Sequence, residues 1–155
     1  MSKVTRRVLI GTESIPDLLR VGSALSTCDR GRVAAVLSVQ DCNDREHFII
    51  GYADSLTNGV TCDSHGHMME NDHCVRTIHA EQMAVAMAAK CGYSTLSGVC
   101  HVSKLPCESC LRALSAAGVH VVRMYDKGVA ETDKFKRRRE YAACIGIDLL
   151  MYEKD

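Results

Sequence analysis

Pro106-Cys107-Glu108-Ser109-Cys110 places two thiols about one helical turn apart, directly after a proline. Such a pair can be half of a metal site, a redox couple, or two buried thiols at the start of a helix. The partners decide between these, and His79, with Glu81 two residues on, is the candidate. One imidazole and two thiolates occupy three tetrahedral positions of a zinc ion and leave the fourth open for water, as a catalytic zinc requires. Zinc lowers the pKa of water from about 16 to about 7, which makes a nucleophile available at neutral pH. A proton carrier is still needed. Glu81 is too near His79 in the chain to be an ideal fourth ligand but well placed beside the metal, so it is the candidate general acid/base.

These four residues meet only if the chain between them folds suitably. His79–Gly92 reads as a helix: Ala, Met, Gln and Glu favour it, and Gly92 is a natural stop. "GVCHVS" reads as a strand, and Pro106 fits the first turn of the next helix, with Leu111, Leu114 and Ala117 on one side. Successive helices of a parallel α/β unit begin at the same edge of the sheet, so His79 can approach Cys107 and Cys110. Each helix N-terminus carries about half a positive charge, which favours thiolate over thiol. Upstream, Ser14 or Asp17 opens a helix carrying Ile15, Leu18, Leu19, Val21 and Leu25. Arg32–Val39 and His47–Tyr52 read as a strand hairpin, and Asp54–Asp72 as a long loop of the kind that tends to carry function. "GVHVVRMY" is a strand, Glu131–Cys144 a polar helix, and "IDLLMY" a closing strand. Strands alternating with helices predict an α/β sandwich whose sheet is mostly parallel beyond the hairpin.

The 155 residues suit one domain, 1–155, with 1–13 as an N-terminal extension. Apolar residues make up 46% and charged residues 25%, an ordinary globular balance. Lys plus Arg and Asp plus Glu are 19 each, so no net charge draws the chain to nucleic acid or to an anionic membrane. The absence of Trp and the presence of only two Phe leave little for stacking bases, and no nucleic-acid partner is expected. The basic run Lys134–Arg139 reads as a solvated helix face. No apolar run approaches the ~20 residues of a membrane span, and Val8–Ile10 is too short for a signal-peptide core. A cytoplasmic location follows as the expectation, and there the nine cysteines point to metal binding or catalysis rather than disulfides.

His-x-Glu followed by Pro-Cys-x-x-Cys is the pattern of the zinc-dependent nucleobase deaminases. "GHMMENDHCVRTIHAEQMAVAMAA" and "HVSKLPCESCLRALSAAGV" resemble the deoxycytidylate (dCMP) deaminases of the cytidine-deaminase-like superfamily, and the similarity runs from about Ser26 to Tyr152. The resemblance implies a three-layer α/β/α sandwich with a mixed five-stranded sheet. It implies one catalytic zinc on His79, Cys107 and Cys110, with Glu81 as the acid/base. It implies a nucleotide substrate, dCMP or a related deoxycytidine nucleotide, hydrolysed to dUMP and ammonia, and a homo-oligomeric assembly. The alternatives are deamination of another amino-heterocycle (a nucleoside, a modified pyrimidine or a purine base) and a non-catalytic zinc-binding module. Keeping Glu81 counts against the last.

The loop "CDSHGHMMENDHC" holds Cys62, His65, His67, His73 and Cys74. Some dCMP deaminases carry a second, structural zinc in this place, completed by a cysteine before the first strand, where this chain has Cys28. The expected set is Cys28, Cys62, His67 and His73, with His65 or Cys74 as substitutes; four ligands would staple the loop to the sheet. The chain departs from the family at "GYAD", where Ala53 and Asp54 replace Asn and Gly in a segment tied to nucleotide binding and allosteric control. A carboxylate there is expected to repel a phosphate and to weaken control by dCTP and dTTP. Met83 replaces an Asn, and Ser103 and Lys104 replace Thr and Leu; Lys104 reads as an exposed lysine before it reads as a phosphate contact.

Overall fold

The computed structural model describes residues 14–57 and 59–152; the expected extension over residues 1–13 lies outside them. In chain order the elements are α1 (Ile15–Leu25), β1 (Ala34–Gln40), β2 (Glu46–Tyr52), α2 (Cys62–His65), β3 (Met69–Glu70), β4 (His73–Cys74), α3 (Ala80–Cys91), β5 (Val99–Val102), α4 (Glu108–Ala116), β6 (Val121–Met124), α5 (Asp133–Cys144) and β7 (Asp148–Met151). A short 3-10 turn, Lys127–Val129, precedes α5.

Strand alternation sets the layers. In β1, Ala35, Leu37 and Val39 are buried on one face while Ala34 and Val36 are buried on the other. A strand buried on both sides belongs in the middle of a sheet between helices. β1 accordingly pairs antiparallel with β2 on one side and with β5 on the other. β6 and β7 continue the sheet in parallel, giving the order β2-β1-β5-β6-β7. On one face, Ala80, Ala84 and Ala88 of α3, Leu111 and Leu114 of α4, and Phe135 and Ala142 of α5 form a continuous core with the sheet. On the other face, Ile15 and Leu19 of α1 cover Ala34 and Val36. This is the α/β sandwich that the order of elements predicts, with the mixed five-stranded sheet that the family resemblance implies.

The topology also explains how the functional residues meet. β2 and β5 are both antiparallel to β1, so they run parallel to each other. α3 and α4, which follow them, therefore begin at the same edge. α3 can dock only because Gly51 of β2 has no side chain: a Cβ there would lie 2.1 Å from the Ala80 carbonyl oxygen and 2.7 Å from the Ala84 nitrogen. Gly92 ends α3 in the left-handed conformation (φ 76°), as expected of a glycine stop. Pro106 stands one residue before the N-cap, outside the helix rather than in its first turn. Cys107 is extended (φ −77°, ψ 166°) and takes the N-cap position, where its carbonyl accepts the Leu111 N–H at 3.0 Å.

The long loop is more ordered than its sequence suggests. Thr61 caps α2 through a reciprocal capping box with Ser64. Asn71 and Asp72 both have positive φ (47° and 64°) and form the two-residue turn between β3 and β4. That is the hairpin turn in which Asn and Asp are favoured.

His101, in β5, faces away from the helices of the main core and is only 3% exposed. Its Nδ1 lies 3.1 Å from the Tyr125 hydroxyl. Burial, reinforced by the Arg123 charge, pulls its pKa down to about 4.

Two expectations follow. Gly51→Ala forces backbone apart at the root of α3 and should destabilise the protein by about 1–3 kcal/mol or more, read as a lowered denaturation midpoint. His101 takes up its proton in the unfolded chain, near pH 6.5, before it does so in the folded one, near pH 4. Its contribution to stability is thus present above pH 6.5 and lost as pH falls toward 4. The fall in melting temperature across that window should be shallower in His101→Gln, and an unchanged slope would show that His101 does not cause it.

Candidate active site

His79 is the N-cap of α3 and Cys107 the N-cap of α4; Cys110 lies in the first turn of α4. The His79 Nδ1 is 3.5 Å from the Cys107 Sγ and 3.3 Å from the Cys110 Sγ. Tetrahedral zinc with ordinary Zn–N and Zn–S bonds needs an N···S separation of about 3.6 Å. The three donors therefore fit zinc and leave one coordination position to a non-protein ligand. Of the two thiols, Cys107 is the more readily ionised. Its pKa is drawn down to about 3, first by the hydrogen bond with Cys110 and then, against burial, by His79 and the Cys110 backbone N–H. Cys110, sharing that charge from a buried position, is shifted upward. His79 is raised, chiefly by its hydrogen bond with Cys107.

Glu81 lies in the first turn of α3, only 3% exposed, on the wall of the cavity that also reaches His79 and Cys107. Burial is the main cause of its raised pKa. The two helix starts are tied together: the Gln82 side-chain amide donates to the Ser109 hydroxyl at 3.4 Å. Arg138, from α5, fastens the cysteine turn. Its guanidinium donates to the Pro106 carbonyl and forms a 2.9 Å ion pair with Glu108, so it holds the residues on both sides of Cys107. Sequence reasoning missed this contact, because nothing local distinguishes Arg138 from its basic neighbours.

The cavity has a volume of about 520 Å³. Part of its wall comes from a second cluster, in which one atom each of Cys28, Cys62, His67 and Cys74 lies within 4.8 Å of the others. The Cys28 Sγ is 3.7 Å from the His67 Nδ1, and the Cys62 and Cys74 sulfurs are 3.4 Å apart. The other ring nitrogen of His67 meets Asp29 at 2.9 Å, the carboxylate support that metal-ligating histidines commonly have. Burial and the neighbouring thiols push Cys62 up to about 12. Burial also opposes ionisation of Cys74, but backbone contacts at Met68 and Arg76 and the His67 ring bring it down to about 6. Four soft donors with one stabilised thiolate suit a closed, structural zinc.

The structure thus brings together three of the four residues expected for this second set and substitutes Cys74 for His73. Neighbouring residues of a strand face opposite ways: Cys74 is buried in the cluster, while His73 is exposed on the cavity wall, its ring 5.9 Å from that of His79. His65 is outside the cluster, hydrogen-bonded to Ser64. Ala53 packs among Cys28, Cys62 and Cys74. Asp54 does not present its charge to the cavity; its carboxylate accepts the Thr27 hydroxyl at 3.0 Å. Met83 is buried, and the Ser103 hydroxyl accepts the Ala34 N–H at 2.9 Å, joining β1 to the turn after β5. Lys104 pairs with Asp126 at 3.3 Å.

The donor set, the buried carboxylate and the sandwich that positions them agree with a match of residues 18–125 to the cytidine and deoxycytidylate deaminase zinc-binding region, and the chain belongs to this deaminase family. Zinc is the metal of this family region, and the chain's donors fit it. ComE operon protein 2 of Bacillus subtilis is 36% identical over 97 residues, covering 63% of this chain and 49% of that protein, so the match spans about half the relative's length. The fold is shared with the dCMP deaminase of cyanophage S-TIM5 in complex with dCMP and dUMP (TM-score 0.64, 17% identity, 92% of this chain and 99% of that one). It is also shared with the guanine deaminase of Nitrosomonas europaea (TM-score 0.56, 19% identity, 94% and 79%). No described helix is long and apolar enough to cross a membrane.

Metal analysis of two variants separates the clusters. Cys110→Ala should lose the zinc of the three-donor set and keep that of the four-donor set. Cys62→Ala should do the reverse, with a lower melting temperature because the 54–74 segment loses its staple. One zinc per chain in freshly purified wild-type protein would count against the second site.

Proposed function

We propose that this deaminase converts dCMP, or a closely related deoxycytidine nucleotide, to dUMP and ammonia by hydrolysis, and that it depends on zinc. The observation that carries the reading is the placement of Glu81, buried on the wall of the same cavity as the His79–Cys107–Cys110 donor set. When bound, zinc supplies Lewis acidity that makes water a competent nucleophile at neutral pH. His79, Cys107 and Cys110 hold the metal. Glu81 takes a proton from the attacking water, passes one to the ring nitrogen beside the reacting carbon, and later delivers one to the departing amine. The exocyclic C–N bond breaks as the new C–O bond becomes the carbonyl of uracil, and ammonia leaves. Burial of Glu81 keeps these transfers away from bulk solvent.

Family membership and the shared fold with a dCMP-binding relative support a pyrimidine nucleotide. A second reading, deamination of another amino-heterocycle, is favoured by the changed residues Ala53, buried on the cavity wall, and Met83, buried one helical turn beyond His79. Ammonia release over cytosine, cytidine, dCMP, dCTP and guanine distinguishes the two. We extend the family resemblance to a homo-oligomeric assembly, which sedimentation tests. Glu81→Gln should retain fold and zinc while losing about 10²–10⁴-fold in turnover, because the amide cannot carry a proton at neutral pH. Near wild-type turnover in that variant would remove Glu81 from the reaction.

A further inference from the structure

The basic run read from sequence as a solvated helix face holds as such except at Arg138. Of the basic residues in Lys134–Arg139, only Arg138 is not exposed, and its side chain is 11% accessible. Phe135 and Ala142, about one turn to either side of it, are buried in the main core, so α5 holds Arg138 in place. A charge withdrawn from water is costly unless it is paired and hydrogen-bonded. Arg138 meets both conditions within three residues, at the Pro106 carbonyl and the Glu108 carboxylate.

The stretch it grips has few other ties. β5 ends at Val102, and the hydrogen bonding of α4 begins with the Cys107 carbonyl. Among the described residues, Lys104, Leu105 and Pro106 form no backbone–backbone hydrogen bond. Pro106 has no N–H, so its carbonyl is the one main-chain group through which the turn can be held there. Leu105 packs against the core and Lys104 reaches Asp126, but these contacts act through side chains ahead of Pro106. The residues on both sides of Cys107 are thus fastened by one guanidinium from another helix.

We propose that Arg138 is a positioning residue for the metal: by clamping Pro106 and Glu108 it keeps the Cys107 sulfur in place and slows escape of zinc from His79, Cys107 and Cys110. The inference rests on those three residues being the zinc ligands. It gives Arg138 a task that needs no substrate, separate from any contact it makes with a molecule in the cavity.

The test follows zinc loss from zinc-loaded full-length protein to a chromogenic chelator, without substrate. The part of the release that Cys110→Ala lacks belongs to the three-donor set. Arg138→Gln should release that zinc about tenfold faster than wild type, the lower end of the effect of removing support from a metal ligand. Release from the Cys28–Cys62–His67–Cys74 cluster should not change, which a general loosening of the protein would not allow. Arg138→Lys should recover part of the retention. Arg137→Gln, which removes an exposed charge from the same helix, should match wild type. In cobalt-substituted protein, the thiolate-to-cobalt absorption of the three-donor set should be weaker in Arg138→Gln and partly restored in Arg138→Lys. Glu108→Gln should release the zinc roughly two- to threefold faster, because its half of the ion pair is half-exposed. That exposure lets Glu108→Gln test the clamp even if Arg138→Gln fails to fold. An unchanged release rate in either variant, or equal acceleration at both clusters, overturns the proposal. A Cys110→Ala variant that keeps all of its zinc overturns the ligand assignment and the proposal with it.

Discussion

One nitrogen from one helix start must come within 3.5 Å of two sulfurs from another, and much of the architecture follows from that requirement. The three groups repel or desolvate one another unless a shared proton or a metal holds them. Their positions must therefore be fixed by the backbone. β1 meets the need by lying antiparallel to both neighbours, which aligns β2 with β5 and brings α3 and α4 to a common edge. Gly51 then allows α3 to sit against the sheet at a distance no other residue permits without displacement. The extended N-cap conformations of His79 and Cys107 turn their side chains off the helix ends. None of these devices is chemical by itself, yet each sets the position of a donor atom.

The second cluster obeys the same logic with less help from regular structure. A segment with one four-residue helix and two two-residue strands has little apolar surface with which to offset the entropy of being ordered. Three thiols, one imidazole and the buried Ala53 concentrate what little core it has. Cys28 and Cys74 contribute to both the cluster and the cavity wall. The loop that shapes the cavity is thus anchored by the donors of the second set.

His79, Glu81, Cys107 and Cys110 were legible in sequence because their chemistry is tied to short local spacings at helix starts, and local spacing is what a sequence displays. The α/β order was legible for a similar reason, through the alternation of apolar strands with helix-forming stretches. The fourth ligand of the second set was harder. The choice between His73 and Cys74 turns on strand parity, and a shift of one residue exchanges the two faces. Asn71-Asp72 held the missing signal, since a two-residue hairpin turn fixes that parity. Asp54 was placed by a hydroxyl far away in the chain, Thr27, and Arg138 by the docking of α5; such contacts have no local signature.

Arg138 also sets an order of assembly. It lies 32 residues beyond Pro106, whose carbonyl it holds. During synthesis all three donors of the His79–Cys107–Cys110 set leave the ribosome before the side chain that fastens their turn, and domains commonly begin to fold while the chain is still growing. Early metal capture would then take place on a cysteine turn still free to move. Docking of α5 converts that flexible turn into a fixed one, so the last of the described helices to be made also acts as the latch on the donor set that is completed at Cys110, after the four-donor cluster is already complete at Cys74.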